Sequence, residues 1–263
     1  MDPRSQQLID RSYAVLPGYW DPAKVARIRA ALAGIYGRLE QPPLWSAEPC
    51  WQGDNVEISN TGLVIHKLLS FDPGLHADLL DEHVVEIIRG ALGDDMHLEF
   101  AGAVITNHTR PFFKWHNHVG GIEDEKYRRL GLRPAIERPE RVAMLVYLEA
   151  MGPGTGQLLI HPHRVSGASG PPGVVEDPDW DGRVEVSGGA GTVVMIDQTT
   201  WHAALPRSVQ AGTGDHELRM FFGLWFAASC VPKTERVDES LFAVESPDPL
   251  LRSLLPRHGS AAR

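Results

Sequence analysis

The stretch Phe113-Lys114-Trp115-His116-Asn117-His118-Val119-Gly120-Gly121 decides how the chain is read. Alternate residues of an extended strand point to the same side, so His116 and His118 can present their imidazoles to one ion. On its own the pair would be two polar residues on a solvent face; a third ligand from elsewhere makes it a site. Trp201-His202 offers one. His202 follows the apolar run Thr192-Val193-Val194-Met195-Ile196-Asp197 after a short turn, which places it at the start of a strand expected beside its own predecessor. Arg219 lies in a further strand-like segment, 217–227, where it can bind a carboxylate through paired hydrogen bonds.

Working outward, residues 98–107, 141–149, 157–161 and 183–187 also read as short strands, with turns at Gly152-Pro153-Gly154 and Gly188-Gly189. Ahead of them the period is helical. Asp21-Pro22 opens a helix whose Val25, Ile28, Leu32, Ile35 and Leu39 share one face, and a second helix is expected over residues 74–92. Residues 41–60 read as loop. Helices followed by many short strands give an α+β chain whose β part is a sandwich or barrel. Two long insertions, 120–140 and 164–182, have the length of lids or substrate loops. Trp45, Trp51 and Trp115 are candidate pocket walls, with core packing an equal alternative.

Composition narrows the function. The 263 residues carry a net charge of −9 and no dense Lys/Arg run, which argues against nucleic acid, since a reader of that polymer needs a basic face. The opening residues lack a signal peptide's apolar core and no run approaches a membrane span, so a cytoplasmic location with reduced Cys50 and Cys230 is expected. No phosphate-cradling GxGxxG or GxxxxGK[ST] loop and no GxSxG elbow is present. Seven of the twelve histidines fall between residues 97 and 202. Of these, His161 and His163 repeat the alternate spacing of a metal pair, although a structural or substrate-facing role suits them better, and His108 is a candidate pocket residue.

Taken together, the segments resemble the phytanoyl-CoA hydroxylase family of Fe(II)/2-oxoglutarate dioxygenases over residues 15–227. Gly18-Tyr19-Trp20 precedes the first long helix, as a Gly-Tyr-like pair does in that family. His116-Asn117-His118 stands where the family carries H-x-D. Gly156-Gln157-Leu158-Leu159-Ile160-His161-Pro162-His163-Arg164 is similar to its Gly-x-Leu-x-x-x-Pro-x-x-His-Arg-like stretch, and Gly191-Thr192-Val193-Val194-Met195-Ile196-Asp197 to the strand before its distal histidine. The resemblance implies a double-stranded β-helix, a jelly-roll or cupin-like barrel flanked by N-terminal helices. The length of the chain suits one domain, 1–263, with a mainly helical part (1–95), a β-helix core (96–230) and a tail (231–263). The resemblance further implies Fe(II) on His116, His118 and His202, 2-oxoglutarate anchored by Arg219, and O2 and a small organic molecule as partners.

Two departures matter. His118 replaces the family's carboxylate ligand, which leaves the metal core one charge more positive and fills the gap that related halogenases keep for chloride. The 17 residues from His202 to Arg219 exceed the family's spacing, which the turn-like residues 210–215 account for; Arg207 is the rival anchor. Glu123, Asp124 and Glu125 could return a carboxylate if their loop folds back. Two other functions stay open: a three-His dioxygenase that binds substrate directly on iron without 2-oxoglutarate, and a non-catalytic or redox-neutral member of the fold.

Overall fold

A computed structural model describes residues 1–118, 138–167, 170–208, 218–228, 238–245 and 247–255. Its longer helices begin where an aspartate supplies the cap. Asp2 accepts from the Arg4 amide at 2.7 Å and starts α1 (Pro3–Arg11), a helix too short and polar for its periodicity to announce it. Asp21 accepts from the Ala23 and Lys24 amides at 2.9 and 3.1 Å and starts α2 (Pro22–Arg38), whose Val25, Ile28, Leu32 and Ile35 are buried as their spacing predicts. A short helix, α3 (Leu68–Phe71), follows. The single helix expected over 74–92 is instead a 3-10 turn, Pro73–Ala77, and a separate α4, Glu82–Leu92. Asp81 causes the break: its backbone is extended and its side chain caps the Val84 amide at 3.1 Å, so the helix starts afresh there.

The strands are β1 (Tyr13–Leu16), β2 (Cys50–Gln52), β3 (Val56–Ser59), β4 (Gly62–Ile65), β5 (His97–Thr106), β6 (Phe113–His116), β7 (Arg141–Tyr147), β8 (Leu158–His161), β9 (Val184–Glu185), β10 (Thr192–Asp197), β11 (Trp201–Ala204) and β12 (Arg219–Ala227). Among the described residues they form two antiparallel sheets, ordered β1-β10-β7-β12-β5-β4-β3-β2 and β6-β11-β8-β9. The chain is thus a mixed helix and antiparallel-sheet protein. The stretch 41–60 is not all loop, because β2 and β3 lie in it, and β1 and β4 also fall in the mainly helical N-terminal part; strands of three or four residues carry too little alternation to be seen in sequence. His202 also does not lie beside its predecessor strand. The turn after β10, held by the Thr199 amide on Asp197 Oδ2 at 3.0 Å and by Thr200 Oγ1 on the Ser12 carbonyl at 2.8 Å, carries the chain into the small sheet, where β11 pairs with β6 and β8.

Strand β7 shows why its run from Val142 onward is almost wholly apolar. Val142, Met144 and Val146 join a core with Ile28, Leu32, Val84 and Ile88 of the helices, while Ala143, Leu145 and Tyr147 turn to Leu158 and Ile160 of the small sheet. The central strands of the large sheet are therefore a middle layer, buried on both faces. A third cluster closes the outer face of the small sheet: the Trp115 and Trp180 rings stack at 4.3 Å and 6°, packed with Leu159 and Ala203. Trp180 belongs to the insertion expected as a lid. Its segment covers this outer face instead, since Trp115 Nε1 donates to the Asp177 carbonyl at 2.9 Å and Trp180 Nε1 to that of Val174 at 2.8 Å. Residues 120–137 of the other insertion, which include Glu123, Asp124 and Glu125, lie outside the described residues, as does Cys230. Cys50 is a free, exposed thiol. Among the described residues no helix is long and apolar enough to cross a membrane.

Ile28 is fully buried where α2 meets the middle layer. Ile28→Ala should destabilise the fold by about 2–5 kcal/mol, read from the urea midpoint at unchanged slope. A loss below about 1 kcal/mol would show that α2 does not pack there as described.

Candidate metal centre

His116 ends β6 and stands directly opposite His202 across the β6–β11 pair, their ring centroids 4.1 Å apart. Facing side chains on adjacent strands are near neighbours, so this register makes half the site. His118 lies just past the end of β6. Its amide donates to the Gln198 carbonyl at 2.9 Å, which ties it to the turn leading into β11 and brings its ring to 4.9 Å from that of His202 and 5.4 Å from that of His116. One nitrogen from each ring lies within 4.8 Å of the other two. An ion about 2.0–2.1 Å from two His nitrogens needs them no more than about 4.2 Å apart, and the Nε2 atoms of His118 and His202 lie 3.2 Å apart.

Backbone carbonyls fix how two of the rings are protonated. His116 Nδ1 lies 2.9 Å from the Lys114 carbonyl and His202 Nδ1 2.9 Å from that of Thr200. A carbonyl only accepts, so each Nδ1 carries the proton and each Nε2 keeps its lone pair, the arrangement that orients metal-binding imidazoles. His202 Nε2 then faces His118 Nε2 at 3.2 Å, a separation that a shared proton or cation bridges. Burial holds His116 below the usual histidine range. Burial, followed by the neighbouring His116 and His118, holds His202 well below it. These two rings are neutral near pH 7, as metal ligands must be. Among the described residues no carboxylate joins the group.

The triad opens into a cavity of about 280 Å³ between the two sheets. Its floor follows the register of the middle layer: Phe100, Trp225 and Ala143 form one row, Gly102, Gly223 and Leu145 the next, then Val104, Phe221 and Tyr147, and finally Thr106 with Arg219. The paired Gly102 and Gly223 leave the middle of the floor bare. A Cβ on Gly102 would come 2.7 Å from the Phe100 ring and 2.9 Å from the Ile65 carbonyl, and one on Gly223 3.1 Å from a Leu145 methyl. His118 meets Trp225 edge-on at 4.4 Å, so the triad lies toward one end of the floor and Arg219 begins the other.

The structure gathers His116, His118 and His202, and Arg219 lines the same cavity, with its guanidinium 5.1 Å from the Tyr147 ring centroid. Arg219 Nη1 donates to the Thr155 and Gly156 carbonyls. Burial lowers its pKa from the ordinary arginine value. Arg207 does not line the cavity; it bridges to Thr155 at the turn. His161 and His163 do not line it either: their Nε2 atoms lie 3.2 Å from the Asp181 and Thr199 carbonyls. His108 and Trp45 are likewise not among its walls, and Trp115 points away from it, into the outer cluster. Trp51 is 57% exposed and stacks on His66, a wall residue, at 5.0 Å. Sequence reasoning missed Arg110, which is buried and lines the cavity beside Phe113. It sits in the turn Asn107-His108-Thr109-Arg110-Pro111, and the only signal was its position shortly before the histidine pair.

No protein-family model matches the chain, and no curated protein matches it in sequence. Solved structures match its fold. The non-heme alpha-ketoglutarate-dependent carbocyclase SnoK from nogalamycin biosynthesis aligns over 98% of this chain and 94% of its own, at a TM-score of 0.62 and 17% identity. HygX from Streptomyces hygroscopicus, crystallised with nickel, 2-oxoglutarate and hygromycin B, aligns over 89% of both chains at 0.61 and 13%. EctD from S. alaskensis, with 2-oxoglutarate and 5-hydroxyectoine, covers all of this chain and is covered over 85%, at 0.62 and 18%. The chain shares their fold.

His116→Ala, His118→Ala and His202→Ala should each strip most bound iron or nickel, measured by plasma mass spectrometry after dialysis, whereas His161→Ala should retain it. Full occupancy in His118→Ala would reduce the site to two histidines.

Proposed function

We propose that the chain is a non-haem iron oxygenase that uses 2-oxoglutarate and O2 to oxidise a small organic molecule, on a single-domain double-stranded β-helix of the phytanoyl-CoA hydroxylase-like kind. The observation that carries this reading is the convergence of three imidazoles on one cavity that also holds a buried arginine. The fold shared with SnoK, HygX and EctD supports it, since SnoK is described as alpha-ketoglutarate-dependent and the other two were crystallised with 2-oxoglutarate. A cytoplasmic location belongs to the same reading.

His116, His118 and His202 would hold the iron. Bound there, iron with O2 and 2-oxoglutarate would supply the oxidising chemistry, the oxo acid leaving as succinate and CO2 while a substrate C–H is oxidised. The protein does the positioning. The Lys114 and Thr200 carbonyls keep the Nε2 lone pairs of His116 and His202 turned inward. Arg219, itself fixed by the Thr155 and Gly156 carbonyls, receives the far carboxylate of the oxo acid. Leu145, Leu158, Ile196 and Phe221 make apolar walls that keep water from the reacting groups.

The ligand set favours a second reading, a dioxygenase that binds its substrate directly on a three-His iron and uses no 2-oxoglutarate. Three imidazoles lack the anionic ligand of the family pattern, so the metal core keeps more positive charge to attract an anionic substrate. Succinate formation in step with O2 consumption separates the two; O2 uptake without succinate supports the second. Arg219→Ala should raise the 2-oxoglutarate concentration needed by roughly tenfold or more at unchanged metal content. If Arg207→Ala has that effect instead, the anchor is misassigned. His118→Asp, which rebuilds two histidines and a carboxylate, should keep metal but lose turnover; undiminished substrate oxidation would show that the third imidazole does not tune the chemistry.

A further inference from the structure

Arg110 lines the cavity, is only 6% exposed, and spends one side of its guanidinium on a single bond, Nη2 to the Leu205 carbonyl at 2.9 Å. Its Nη1 is buried with no hydrogen-bond partner. A buried charged donor left unpaired opposes folding, and such a group calls for a partner that the protein itself does not supply.

A second cation lies close by, near enough that the charge of Arg219 acts on Arg110. The Leu205 carbonyl that holds Arg110 lies 3.1 Å from where a Cβ on Gly156 would stand, and Arg219 Nη1 lies 2.7 Å from that same point. Arg219 and the carbonyl that holds Arg110 therefore flank one glycine, whose φ of +79° and crowded surroundings exclude a side chain. Among the described residues the only carboxylate lining the cavity is Glu57, and it pairs with His66 at 3.0 Å. Burial, and after it the charge of Arg219, bring the Arg110 pKa down to about 10, so Arg110 stays charged at neutral pH.

We propose that Arg110 and Arg219 form a two-guanidinium clamp that takes the carboxylate of one small ligand beside Gly156. A carboxylate accepts from two planar guanidinium groups at once, and the free Nη1 of Arg110 gains the acceptor it lacks. The carboxylate comes from the oxo acid or from the substrate. Naming it the far carboxylate of 2-oxoglutarate rests on the function proposed above, whereas the clamp rests on the geometry of Arg110.

The test is calorimetric binding of glutarate, 2-oxoglutarate and 2-oxovalerate, the last an oxo acid without the far carboxylate, to the full chain as wild type, Arg110→Gln and Arg110→Lys. Arg110→Gln should weaken glutarate and 2-oxoglutarate by roughly 30-fold and leave 2-oxovalerate unchanged, with Arg110→Lys in between. Unchanged affinity for both dicarboxylates, an equal loss for 2-oxovalerate, or a wild type that binds neither dicarboxylate overturns the clamp. A measurement on the wild type guards against a variant that does not fold: glutarate should shield Arg110 from phenylglyoxal, mapped by mass spectrometry, and the absence of shielding also overturns it. Glutarate that 2-oxoglutarate displaces assigns the clamp to the oxo acid; glutarate that it does not displace assigns it to the substrate. Arg110-dependent glutarate binding without succinate from 2-oxoglutarate would keep the clamp and sink the oxygenase reading. Succinate formation indifferent to Arg110 would do the reverse.

Discussion

The alternation of side chains along the central strands of the large sheet is the constraint on which the rest depends. Because helices cover one face and the small sheet the other, each residue of β7 and β12 is committed to one of two interiors. A slip of one residue would send Met144 and Phe222 into the cavity and Leu145 and Gly223 into the helical core. The cavity floor, its bare centre and the position of Arg219 all follow from that register. The small sheet then needs only one alignment of its own, His116 opposite His202, to complete a site above the floor.

The electrostatics of the interior are lopsided. Two of the three histidines are held neutral, two arginines are buried and close together, and the lone lining carboxylate among the described residues is engaged by His66. Before any metal arrives the cavity is already short of negative charge, and a divalent ion with no anionic protein ligand deepens the deficit. An interior of that kind is poorly suited to cationic ligands and favours those that bring their own anionic groups.

Much of this was legible in the sequence. The histidine pair is marked by its alternate spacing and the distal histidine and the arginine by the apolar runs beside them, and β5, β7, β10 and β12 are long or apolar enough to stand out. What escaped notice depends on tertiary context. Strands β1 to β4 are three or four residues long, so their pairing is set by the sheet they join rather than by their own pattern. The break at Asp81 is a local competition between a cap and a continuing helix, which apolar spacing does not report. Arg110 sits in a turn where an arginine is ordinary; only the carbonyl of Leu205, 95 positions away, turns it inward. The insertion bearing Trp180 has the length of a lid, and only the ring of Trp115 shows that it belongs to the outer face.

The facing glycines of the cavity floor are not equivalent. Beside Gly102 stands a main-chain oxygen, which cannot move without disturbing the β4–β5 ladder, whereas beside Gly223 stands the end of a leucine side chain, which can rotate. One half of the floor is thus fixed by the architecture and the other is open to drift. Descendants of this chain that acquire new ligands would be expected to diverge at position 223 while retaining glycine at 102, so the record of their specialisation would be written on a single strand.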